Sequence, residues 1–278
     1  MFIGKIFALL CLAATVPASA GNIDLKWNGK KYLSGLLPVD AARHYILSGG
    51  FTAEKNVSGF TFGLELFDGD KVPIHPHEVR AIPGTGTRTV KAAKRGDREL
   101  YVEDASKWDI RAARIVAVGV SPDLKDLPAR NIAYYVTRTT CEDGVWKLEF
   151  SRPLPRDIAP GTRVRLHGDG RHPIVAAYNI DLFDGKTKRF RHLVSPGATY
   201  TADSEVWWPG VRYARIYVQV PAESHVRAEE ITLHPATPEE LAAVLKERDL
   251  AGLPPRPFGK YAKLGNGTEI LVQPHGGF

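Results

Sequence analysis

The feature that most restricts this chain is a series of strand-length segments, apolar on alternate residues and cut apart by Gly, Pro and Asp. Residues 60–67 set Phe60, Phe62, Leu64 and Leu66 against Thr61, Gly63, Glu65 and Phe67. A period of two places each set on its own face of an extended strand, and Asp68-Gly69-Asp70 then supplies a turn. Tyr45-Ile46-Leu47-Ser48 leads into Gly49-Gly50-Phe51, and further strands are expected at 175–182, 189–194, 214–220 and 227–233. In the 214–220 segment Ile216, Val218 and Val220 share one face. The pattern predicts an all-β fold of antiparallel sheets stacked as a sandwich. Of the 278 residues 44% are hydrophobic and 24% charged, which excludes a disordered or fibrous chain.

Residues 1–20 combine Lys5, an apolar stretch at 6–16 and Ala18-Ser19-Ala20 before Gly21, the arrangement of a secretory signal peptide. Cleavage near Ala20 would leave 258 residues for a secreted or periplasmic protein. Beyond residue 20 no apolar run approaches the ~20 residues of a membrane-spanning helix. Cys11 falls in the leader, and Leu10 before it argues against a lipoprotein. Cys141 is then alone, so no intramolecular disulfide and no Cys-based zinc site is expected. The fold must stand on its core.

Between residues 89 and 168 the texture changes. Short strands at 99–102, 114–120, 132–138, 146–150 and 163–167 alternate with Gly96-Asp97, a Pro-rich connector at 121–130, Asp143-Gly144 and Pro160-Gly161-Thr162. The segment holds 15 basic against 11 acidic residues, a net of +4, where the whole chain beyond residue 20 has a net of +5. It reads as a small β-module inserted between a first sandwich part at 21–88 and a second at 169–236. Trp108 and Trp146 are assigned to its core. The tail, 237–278, holds the one convincing helix. Thr237 is its N-cap, Pro238 its first residue and Glu240 its capping-box partner, with Leu241, Val244 and Leu245 as the apolar stripe. A hairpin turning at Asn266-Gly267 follows, between 261–264 and 269–272.

The order Tyr45–Gly49, Phe62-Gly63-Leu64-Glu65-Leu66-Phe67-Asp68, Trp207 to Ile216, and Glu229-Glu230-Ile231-Thr232-Leu233 resembles carbohydrate-binding modules with the galactose-binding-like β-sandwich. The middle segment resembles small β-modules inserted in exported bacterial proteins of that kind. The resemblance covers most of residues 40–236 and implies an antiparallel jelly-roll β-sandwich that binds a polysaccharide. Fold alone does not confer function, so the side chains carry the rest.

A phosphate loop, a Gly-x-Ser-x-Gly elbow and a His-Glu-x-x-His helix are all missing from the sequence. His75-Pro76-His77-Glu78 is the densest set of metal-type ligands, read mainly as a solvated loop or strand edge. Glu65 with Asp68, or Asp203 with Glu205, could form a glycosidase pair, and Asp181 with Asp184 could hold Ca²⁺. Most of these are better explained as turn residues, as Asp68-Gly69 and Asp184-Gly185 suggest. Trp207-Trp208-Pro209-Gly210 offers indole faces to the C–H faces of a sugar, against the simpler reading that one ring plugs the end of the sandwich and the other covers it. Tyr178 and Tyr213 are its candidate neighbours. Arg163 and Arg165 share one strand face and Arg189 and Arg191 another, where they can hydrogen-bond hydroxyl or acidic groups. Arg residues dispersed through strands, in an exported chain, argue against nucleic acid. Acidic neighbours make Cys141 a poor nucleophile.

The reading is a non-catalytic exported polysaccharide-binding protein. Its ligand contacts are Trp207, Trp208, Tyr178, Tyr213, Arg189 and Arg191, with no catalytic residue, and no cofactor unless a structural Ca²⁺. The alternatives are a glycoside hydrolase or polysaccharide lyase, and an envelope structural or assembly subunit.

Overall fold

The computed structural model describes residues 23–26, 32–111, 114–169, 174–175, 180–183, 185–196, 206–250, 261–263 and 269–271. The expected signal peptide, Tyr178, Asp184, Asp203, Glu205 and the Asn266-Gly267 turn lie outside them. The protein is mostly β, as its residue pattern demands. The first strands are β1 (Ile23–Lys26), β2 (Tyr32–Leu33), β3 (Leu37–Pro38), β4 (Tyr45–Ala53) and β5 (Val57–Phe67), followed by a single helical turn, α1 (Pro76–Val79). Then come β6 (Thr87–Arg88), β7 (Glu99–Val102), β8 (Arg114–Val118), β9 (Ile132–Glu142), β10 (Val145–Phe150) and β11 (Arg163–Gly168). The chain continues through β12 (Ile174–Val175), β13 (Ile180–Leu182), β14 (Thr187–Val194), β15 (Tyr213–Gln219), β16 (His225–Pro235), α2 (Pro238–Leu250), β17 (Tyr261–Lys263) and β18 (Glu269–Leu271). Among the described residues no helix is long and apolar enough to cross a membrane.

One sheet has the order β1-β16-β4-β14-β18-β17, and a second the order β12-β5-β15-β2 with β13 and β3 added to β5 and β15. Pairing is antiparallel except between β14 and β18. Both sheets feed one core. Phe51 and Phe190 from the first meet Phe60 and Phe62 from the second, with Phe51 ring centroids 4.7 Å from Phe60 and 4.9 Å from Phe62. The alternation read in residues 60–67 holds, since Phe60, Phe62, Leu64 and Leu66 are all buried. Each such side chain contributes about 1.5–3 kcal/mol over leaving it in water.

Among the described residues strands β6 to β11 pair only with one another, in the order β6-β11-β8-β9-β10-β7. A bridge between Thr89 and Val102, with Val90 N–H donating to Tyr101 O and Glu103 N–H to Arg88 O, joins the two end strands. The sheet thus closes into a six-stranded barrel, which removes its open edges. Leu100, Val102, Val116, Leu148, Val164 and Leu166 fill it, and Trp108 is buried there with Trp146 packed against the same cluster. The Trp108 indole N–H donates to Thr85 O at 2.9 Å.

Helix α2 carries the expected capping box. Glu240 N–H donates to Thr237 Oγ1 at 3.2 Å, and Thr237 N–H to Glu240 Oε2 at 2.9 Å. Val244 is buried against Ile46 and Leu193, with Leu241 beside it. Leu245, expected in the same stripe, is instead 47% exposed. The apolar cluster under the helix holds Ile46, Leu193 and Val244 with Ala236 and Leu241 against it, and Leu245 is not part of it.

Candidate ligand-binding surface

The open end of the first sheet places polar side chains in register across three strands. Alternation sends Phe51, Phe190 and Ala228 into the core, so their neighbours face outward. β14, β4 and β16 then form successive rows: Thr187, Thr52 and Arg227; Arg189, Gly50 and Glu229; Arg191, Ser48 and Thr232. Hydroxyls pair across the strands, Thr52 Oγ1 with Thr187 Oγ1 at 2.7 Å and Ser48 Oγ with Thr232 Oγ1 at 2.8 Å. Arg189 reaches Glu230 at 3.0 Å and Glu229 at 4.0 Å, and Arg191 reaches Glu247 of α2 at 3.9 Å.

Gly50 leaves room for a neighbouring side chain in the middle of this face. A Cβ there would lie 2.9 Å from Glu229 Cγ, so the Glu229 chain folds over the bare backbone. In β16 a bulge between Glu229 and Thr232, with Glu230 at φ +52°, turns a second carboxylate toward Arg189. Glycine inside a strand marks such close approaches. Strand β4 runs through Gly49 and Gly50 to Ala53. At the helix end of the face, the Thr237 amide holds the Glu240 carboxyl below the usual carboxylate range, and His234, 3.0 Å away, adds to this.

The tryptophan pair does not join this surface. Trp207 and Trp208 are each 2% exposed, which takes both indoles away from any surface ligand and corrects the platform expected from the sequence. Trp207 donates its indole N–H to Arg43 O at 3.0 Å and stands edge-on to Tyr45. The physical reason is the turn that follows. Gly210, at φ +81°, brings this loop against Pro128 of the barrel connector and closes the end of the core. Tyr213 is half-buried on the other sheet, below Lys71 Nζ at 5.8 Å, so it does not meet Arg189 or Arg191.

A second polar cluster sits where the barrel joins the facing sheets. Arg130 donates to Glu78 Oε2 and Asp68 Oδ2, each at 2.6 Å, and to Pro73 O at 2.7 Å. Glu78 also accepts His75 N–H at 2.9 Å. Glu78 is therefore occupied as an ion-pair and capping group, and His75 and His77 stack with ring centroids 5.5 Å apart. Among the described residues no group of three or more His, Cys, Asp or Glu is placed to hold a metal. Glu65 is bound to Arg215 at 2.5 Å and Asp68 to Arg130, so each member of that acidic pair serves a separate arginine.

On β11, Arg163 is exposed while Arg165 is buried. Arg165 donates to Asp126 at 2.9 Å, to Ser121 O at 3.3 Å and, through Nε, to His167 Nε2 at 3.0 Å. His167 Nδ1 lies 2.7 Å from His77 O. Burial pushes the His167 imidazole down to about 4, with the Arg165 charge acting in the same direction. Burial also lowers the His77 imidazole. No local spacing points to this junction, whose partners are up to 90 residues apart. The alternation of Arg163, Arg165 and His167 with Val164 and Leu166 marks the face they share but not the partners they meet. No protein-family model, curated protein or solved structure gives a significant match to the chain.

Proposed function

We propose that the chain is an exported, non-catalytic polysaccharide-binding protein whose facing sheets form a galactose-binding-like jelly-roll β-sandwich, and that the polar rows of β14, β4 and β16 are its contact face. The observation that carries this reading is the register of hydroxyl, guanidinium and carboxylate groups across three strands, with the Glu229 chain laid over Gly50 between them. Sugar hydroxyls both donate and accept, so a face holding both kinds of partner side by side suits them, and hydrogen bonds to charged groups are the stronger ones. Arg189 and Arg191 already have acidic neighbours, so a neutral polysaccharide is favoured over an anionic one.

The test is affinity gel electrophoresis of the full chain in gels containing neutral or anionic polysaccharides, beside an Arg189→Ala/Glu229→Ala variant. Retardation by a neutral polysaccharide is expected, weakened at least about tenfold in the variant, since each lost charge-assisted hydrogen bond is worth about 1.5–3 kcal/mol. Equal retardation of both proteins, or none of either, overturns the assignment of this face. Release of reducing ends or of unsaturated product would replace it with the hydrolase or lyase reading.

A further inference from the structure

A cavity of about 370 Å³ opens on the outer wall of the barrel, away from the polar sheet face. It arises because β6 pairs with β11 over only two residues, Thr87 with Val164 and Arg88 with Arg163. Ahead of them the chain leaves the strand at Pro83 and Gly84, and the Thr85 hydroxyl substitutes for the missing ladder by accepting Leu166 N–H at 3.2 Å. The other wall is the connector after β8. It is fixed across the outer face of β11 by Asp126, which binds Arg165 and accepts Ser121 N–H at 3.0 Å. Leu124 on this wall is held at φ +62°, in the left-handed region. A branched side chain there is strained, and such strain collects at ligand clamps.

The lining is apolar, with Ile82, Pro83, Pro122 and Leu124 among it, and it contains no carboxylate. Two arginines complete it, and they differ. Arg165 is consumed by Asp126, His167 and Ser121 O. Arg163 is exposed and has no carboxylate partner among the described residues. Lys107 adds a second cation beside the mouth, its Cδ 3.9 Å from where a Gly84 Cβ would stand. Small-molecule sites have this volume and this balance of apolar wall with a few polar anchors.

We propose that this cavity binds a small amphipathic carboxylate, its apolar body between Pro83, Ile82, Pro122 and Leu124 and its carboxylate on the Arg163 guanidinium. Arginine presents a planar fork that pairs with a carboxylate through two parallel N–H donors. The site is separate from the polysaccharide face and does not depend on it.

Isothermal titration of the full chain with octanoate, and with 1-octanol as its uncharged counterpart, tests the assignment. Octanoate is expected to bind at a single site, with octanol weaker by about tenfold or more. Gly86 lines the cavity, lies outside the left-handed region, and a Cβ on it meets nothing within 4 Å. Gly86→Leu therefore starts from an unobstructed Cβ, extends its side chain from the cavity lining, and is expected to weaken octanoate and octanol alike. Arg163→Gln is expected to weaken octanoate about tenfold while leaving octanol unchanged, and Arg163→Lys to restore part of the loss. Octanoate that fails to saturate, octanol that binds as tightly, or an Arg163→Gln protein with undiminished octanoate affinity would each overturn the proposal.

Discussion

Taking the protein from pH 7 to pH 4 is expected to remove about 3 kcal/mol of folding stability through one side chain, His167. The ring is fully buried, with its two nitrogens committed. His77 O can only accept, so Nδ1 carries the proton, and Nε2 must then receive the Nε–H of Arg165. A second proton would set an N–H against an N–H in a site closed to water. Burial and the Arg165 charge accordingly push this imidazole from its ordinary 6.5 to about 4.

The sign follows from proton counting. Above pH 6.5 the ring is neutral in both folded and unfolded chains, and its contribution is level. As the pH falls from 6.5 to about 4 the unfolded chain takes up a proton that the folded chain refuses, so stability drops through that window. Below about 4 both states are protonated and the loss is complete. Urea unfolding at pH 7, 5.5 and 4.5 should show a falling midpoint in the wild type. His167→Gln, which hydrogen-bonds without titrating, should be much flatter. Burial depresses the His77 imidazole as well, so a shallower slope of the same sign should remain in the variant. Parallel decline of the two proteins would remove His167 as the cause.

Strand content was legible because a half-buried strand must alternate. Residues 60–67 and 214–220 announced their inner faces, and the barrel segment announced itself through closely spaced short strands. The Thr237 capping box was legible for the same local reason, since its partners lie three residues apart. Reading failed where the answer depended on what another part of the chain brings. Nothing local says that the Trp208 loop is capped by Pro128, so an indole pair beside Pro-Gly looked like surface. Leu245 looked like core because helical periodicity does not report how much of a helix is covered. The polar rows on β14, β4 and β16 needed the register of three strands, which places Arg189 opposite Gly50 and Gly50 opposite Glu229.

The connector between β8 and β9 ties these observations together. At one end Asp126 holds it to Arg165 on the barrel, and at the other Arg130 grips Glu78 and Asp68 beside α1. Ala129 N–H donates to Glu78 O at 2.8 Å in between. The same segment that walls the cavity on the barrel thus presses on the end of the facing sheets. Removing one partner from a largely buried pair such as Arg165 and Asp126 leaves an uncompensated charge, so substitutions there are expected to cost more than at exposed pairs such as Lys94 with Asp157.

Gly210→Ala is expected to cost about 3 kcal/mol, although it adds a single methyl group at an exposed residue. Two penalties combine. At φ +81° an L-residue is in the left-handed region, worth about 1–2 kcal/mol. The new Cβ would also lie 2.5 Å from Pro128 Cδ, and a proline ring cannot swing aside as a long side chain would. Relief requires the connector to move, and overpacking of this kind costs about 1–3 kcal/mol. Asparagine tolerates the left-handed region, so Gly210→Asn keeps the contact while relieving the backbone, and should lose about 1 kcal/mol less than the alanine variant. Chemical denaturation followed by tryptophan fluorescence measures both, because Trp208 lies buried beneath this turn. Wild-type stability in Gly210→Ala would mean that the turn is not pressed against Pro128. The indole pair would then lose its structural explanation and return as a candidate for ligand contact.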